Sequence, residues 1–157
     1  MFLSCVSMVA AFVSVLLGVL AREVHWDLPG LDAYAGYAIA CALFLALPST
    51  LRRGEHIRVT LLLDRLPARV RGAFEWVCLV GGLTVALALA WFSIRLVWMS
   101  WTTHDISPGA DATPLWIPQI GMALGCVGFA LSFAHALLMR LRGDQFIAMG
   151  AEAAHIE

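Results

Sequence analysis

The chain of 157 residues contains no lysine; all ten of its basic side chains are arginine. Charge of either sign is scarce, at 13% of residues against 61% hydrophobic. A soluble domain of this size carries about 25% charged and 45–50% apolar residues. No room is left for such a domain, since the longest polar piece is about two dozen residues. No Walker-type phosphate loop occurs, which excludes ATP hydrolysis by that route. No Cys-x-x-Cys pair occurs either. Cys5, Cys41, Cys78 and Cys126 all fall in apolar stretches, whereas a thiol-exchanging membrane enzyme needs its thiols in outward loops. They read as small buried hydrophobes.

The apolar residues form four runs, at about 3–21, 33–50, 76–99 and 115–139, each about 18–25 residues long. About 20 apolar residues in a helix cross a hydrocarbon core of ~30 Å. The expectation is an all-α membrane protein, one domain over 1–157, with four transmembrane helices. Val19 and Ala21 stand at cleavage-like small positions, but no basic residue precedes the first run. That run also exceeds the usual 7–15 residues of a signal core, so it is read as a span.

Arginine placement predicts orientation. Arg52, Arg53, Arg58, Arg65, Arg69 and Arg71 crowd the 51–72 connection, and Arg140 and Arg142 follow the fourth run. The 22–32 connection has only Arg22 beside Glu23, Asp27 and Asp32, and the 102–114 connection has acids and no cation. Cationic loops stay cytoplasmic, so both termini and the 51–72 connection are expected inside. Trp26, Trp98, Trp101 and Trp116 then lie near the outer ends of spans, where amphipathic rings belong.

The basic connection is itself partly oily. Val59, Leu62, Leu63 and Leu66 share one helical stripe, Arg58 and Arg65 share another face, and Pro67 ends the pattern. Residues 55–66 are expected to form a short amphipathic helix in the membrane interface, between the second and third spans, with its arginines toward lipid phosphates. The competing reading is a plain cationic loop.

Ionisable residues at mid-membrane mark transport paths, and here they are few. The first two spans have none. The third has Glu75 at its inner mouth and Arg95 a turn or two from its outer end; the fourth has His135 near its inner end. A haem-binding bundle needs facing histidines inside spans, and of His25, His56, His104, His135 and His155 only His135 lies in one. No catalytic residue, metal, cofactor or nucleic-acid partner is expected. Arg95 is expected to snorkel toward the outer interface, with a bond to a partner subunit, or a contact with substrate or a binding protein, as the alternatives. Small residues line the spans: Gly121, Gly125, Ser132 and Ala136 on the fourth, Gly82, Ala86 and Ala90 on the third, Ala38, Ala42 and Ala46 on the second. Such stripes let membrane helices approach closely, within the chain or against a partner.

The run Arg53-Gly54-Glu55-His56-Ile57, with the oily turn and Pro67 after it, resembles the small membrane subunit of TRAP (tripartite ATP-independent periplasmic) transporters, the DctQ type. Ser107, Thr113, Pro114, Ile117, Pro118, Gly121 and Gly125, in "SPGADATPLWIPQIGMALG", resemble that family's entry to the fourth span. Thr60 and Ala123 depart from it, standing where an acid and a proline are common. The resemblance covers nearly the whole chain. It implies a non-catalytic subunit in the bacterial inner membrane. It implies a large elevator-type membrane subunit as partner, carrying sodium and substrate sites, and a periplasmic binding protein delivering an organic acid. The alternative is the membrane anchor of a redox or other complex.

Overall fold

A computed structural model of the chain describes residues 2–26, 29–52, 68–109 and 111–142. The expected interfacial helix at 55–66, and with it Arg53, Gly54, Glu55, His56, Arg58 and Arg65, lies outside the described residues. Four helices are present: α1 (Phe2–Glu23), α2 (Leu31–Arg52), α3 (Ala68–Thr103) and α4 (Trp116–Leu141). Each is long and apolar enough to cross a membrane, and the described residues form no strand beyond an isolated bridge between Ile106 and Pro114.

Helix ends follow local chemistry. Pro118 sits in the first turn of α4, where N–H groups have no intrahelical acceptor to lose. His25 (φ 54°) and His104 (φ 52°) take the left-handed conformation just past α1 and α3. The next N–H then folds back across the last turn, Trp26 to the Ala21 carbonyl (2.8 Å) and Asp105 to the Ser100 carbonyl (3.1 Å). That is the usual left-handed closure of a helix end. At 36 residues, α3 is ~54 Å long. The apolar run at 76–99 is the middle of a helix that continues past both edges of the hydrocarbon.

The helices pack in the order α1–α2–α4–α3, and no other pair packs along its length. This is an open series. Its two end helices keep most of their large side chains, among them Phe12, Leu20, Trp91 and Phe92, exposed. Small residues recur at each of the three helix contacts. On α1, Ser4, Ser7, Ala11, Ser14, Gly18 and Ala21 are the least exposed positions. Their alternating three- and four-residue spacing keeps them on one seam, and Ser4 Oγ donates to the Ala42 carbonyl of α2 (2.9 Å). The apolar core lies between α3 and α4: Ala86 and Ala90 against Cys126, Phe129 and Ala130. There Ser93 Oγ donates to Cys126 Sγ at 3.3 Å.

Candidate functional site

Two constructions in this fold position everything else: the seam between α2 and α4, and a lock between the two connections at one end. The seam begins with a proline. Pro48 lies inside α2 and has no N–H to give the Phe44 carbonyl one turn back. A Cβ built at Gly125 would meet that carbonyl and would lie 2.8 Å from Phe44 Cβ. One built at Gly128 would lie 2.9 Å from the Pro48 ring, and one at Gly121 would strike Cys41 Sγ. So Gly121 and Gly125, read from the sequence as a stripe for either an internal or an external helix, lie against α2 of the same chain. Gly82 and Ala86 of α3 lie against α4. A Cβ on Gly82 would enter the Phe133 ring, which itself stacks edge-on with Phe129 at 5.0 Å.

The lock joins the connection after α1 to the one before α4. Tyr37, in the second turn of α2, donates toward Ser107 Oγ (2.9 Å) and Asp111 Oδ2 (3.1 Å). Ser107 Oγ donates to Asp111 Oδ1 (2.9 Å) and accepts from the Gly109 N–H (3.2 Å). Thr113 Oγ1 donates to the Tyr34 hydroxyl (3.2 Å). Two backbone bonds draw the loop ends together, Ser107 N–H to the Thr113 carbonyl (2.9 Å) and Leu115 N–H to the Asp105 carbonyl (3.0 Å). Desolvation pushes the Asp111 carboxyl up, but hydrogen bonds from Thr113, Ser107, its own backbone and Tyr37 outweigh it, so the group titrates below its ordinary 3.8. Gly30 (φ +89°) fits against this aspartate; a Cβ there would lie 2.6 Å from Asp111 Cβ and 2.9 Å from its Cα. Trp101 and Trp116 close the same end edge-to-face at 4.8 Å.

Of these residues, sequence reading singled out Ser107 and Thr113 by motif. It passed over Tyr34, Tyr37, Gly30 and Pro48. The available signals were two tyrosines three apart on the first turns of a helix, and a Ser-Pro-Gly turn followed by an acid that can bond back to it.

Arg95 is exposed on α3, nearly opposite the face that α4 covers. Among the described residues no partner reaches it. His135 is exposed on α4 and is the single histidine inside any described helix. Among the described residues no three of His, Cys, Asp and Glu gather where a metal could bind.

These features define a multi-pass helical membrane protein whose helices form an unclosed series, held by small-residue seams and tied at one end. The family model for tripartite ATP-independent periplasmic transporters, DctQ component, matches residues 11–143. The chain belongs to this family, which is a transporter component and not an enzyme family. It is similar to the isethionate TRAP transporter permease protein DctMQ of Oleidesulfovibrio alaskensis, with 33% identity over 110 residues. That match covers 69% of this chain but 16% of the relative's length. No solved structure matches the chain.

Proposed function

We propose that this chain is the non-catalytic small subunit of a sodium-coupled, binding-protein-dependent secondary transporter for organic acids, in the bacterial inner membrane. Its role is to brace the stationary scaffold of a large elevator-type membrane subunit, with a periplasmic binding protein delivering substrate. The observation that carries the reading is the family match over 11–143. The relative's name supports the substrate class only broadly, since isethionate is a small organic acid. The open series α1–α2–α4–α3 supports a bracing role, because such a series has side faces to offer and encloses no path of its own.

The segment at 55–66 belongs to this proposal as an interfacial helix whose arginines set its depth at anionic lipid. Each basic side chain near such a surface contributes about 1 kcal/mol. Deleting the chain should abolish uptake by cells that retain the large subunit and the binding protein. Arg58→Glu with Arg65→Glu should lower sodium-driven uptake and leave the binding protein's substrate affinity unchanged. Full uptake by the deletion strain would dispose of the subunit reading. Full uptake by the double variant, with spin labels at 55–66 wetted on every side, would reduce the segment to a charged loop.

Orientation is the second test. Both termini and the 51–72 connection should face the cytoplasm, because eight of ten arginines cluster there. In a chain stripped of native thiols, cysteines placed at Ser49 and Gly72 should resist an impermeant reagent applied from the periplasm. Ready labelling at either would invert the topology.

A further inference from the structure

The α3 helix carries a second seam that is uncovered among the described residues. Gly81, Thr84, Ala88, Trp91 and Arg95 follow one another at alternating spacings of three and four residues. That is the spacing by which one helix meets another. It is also the spacing of the small residues by which α1 meets α2. Yet all five are exposed on α3. A Cβ added at Gly81 meets no atom within 4 Å. Thr84 spends its hydroxyl on the Val80 carbonyl, 2.8 Å away, so the face makes no demand for water. Its middle is a shallow hollow of small side chains.

Arg95 gives this face its chemistry. It is the only charged residue between 76 and 99. It stands four residues inside the end of the apolar run at Met99, which is ~6 Å along the axis. Helical side chains lean toward their own N-terminus. On α3 that lean is away from the near membrane surface and toward mid-span, whichever side of the membrane that surface is. A cation so directed calls for an anion at its own depth. A lipid phosphate at the Thr103 end would require the stem to turn back against its lean. It would also leave the hollow at Gly81–Ala88 without a partner of matching shape.

We propose that this face docks one transmembrane helix of the large membrane subunit, and that an aspartate or glutamate on that helix pairs with Arg95. The hollow admits the helix backbone closely and the ion pair sets its register. The inference rests on the transporter-subunit reading and names the surface by which that subunit holds its partner.

The test uses the full chain expressed with the large subunit. A photoreactive benzoylphenylalanine in place of Phe92, an exposed aromatic at the rim of this face, with Ala88 and Arg95 intact, should cross-link to the large subunit. Arg95→Gln should lower recovery of the large subunit about tenfold in a pull-down, and Arg95→Lys should restore most of it. Ala88→Leu, which fills the hollow and leaves the charge, should also lower recovery. Suppressors of Arg95→Glu should map to acid-to-base changes in one helix of the large subunit. If the unaltered chain recovers no large subunit, the subunit reading fails and this inference with it. If the unaltered chain recovers it while the probe at Phe92 labels only lipid and Arg95→Gln recovers as much, the docking face alone is refuted. Arg95 is then a lipid-facing snorkel.

Discussion

Gly125→Leu is expected to pry α2 from α4 and to lower the thermal midpoint of the purified chain by about 10 °C. The obstacle at this position is main chain. A side chain there would run into the Phe44 carbonyl, and that carbonyl cannot swing aside without bending a helix already interrupted by Pro48. Overpacking costs about 1–3 kcal/mol where side chains can yield, and about 3 kcal/mol or more where backbone must move. At about 2–4 °C per kcal/mol for a chain of this size, the shift is easily read in a fluorescence melt. A graded series sharpens the claim. Gly121→Ala should cost less, because its neighbour is the Cys41 sulfur, which can rotate. Gly36→Ala, with open space around it, should be neutral or slightly stabilising, since alanine suits a helix interior better than glycine. Equal midpoints for Gly36→Ala and Gly125→Leu would show that α2 and α4 do not pack as described.

Gly30→Val should undo the lock at the other end. The position has φ +89°, which a β-branched residue adopts only under strain of about 1–3 kcal/mol. Any Cβ also displaces Asp111, and Asp111 is the common acceptor of the Tyr37 and Ser107 hydroxyls. Strain and a broken network act together here, so the connections should part. The expected readout is rapid proteolysis within 104–115 and faster amide exchange at Ser107 and Leu115, whose N–H groups close that loop. Acid should produce a milder version of the same opening. The folded-state pKa of Asp111 lies below its ordinary 3.8. Its contribution is therefore present in full above that value and is lost as pH falls through the depressed folded value. Exchange at Ser107 should accelerate only below about pH 4, and Asp111→Asn should remove that acid dependence. An Asp111→Asn chain that keeps the acid transition would assign it to some other carboxylate.

Much of this architecture was readable in advance, and the reasons differ by element. The four spans were plain because hydrocarbon demands about 20 apolar residues per crossing, a demand that operates on composition alone. The small-residue stripes at Gly121–Gly125 and Gly82–Ala86 were visible too, but not their destination. A glycine shows that something approaches, without showing whether that is α2, α3 or another chain. The seam on α1, from Ser4 to Ala21, obeys the same rule and went unread because serine looks polar. In a span its hydroxyl turns to a carbonyl, as at Ser14, which donates to Ala10 (2.9 Å). His25 and His104 are polar residues in the connections by sequence; in the fold they take a left-handed turn after a helix.

By itself the sequence determined that the chain crosses a membrane four times, that its cations gather on two of its polar segments, and that it belongs with the transporter subunits its motifs resemble. Those properties are local sums, of hydropathy over a run or charge over a loop, and need no knowledge of neighbours. Only the tertiary structure decided that α4 lies between α2 and α3, that the Pro48 turn is answered by Gly125 and Gly128, and that Gly30 fits beneath Asp111. It also decided which side of α3 packs against α4. Each of these depends on which surfaces meet, and in a membrane that choice falls to shape. Every span is apolar enough to sit in lipid, so burial alone does not discriminate among partners, and the close fit of small residues to particular carbonyls, rings and sulfurs does.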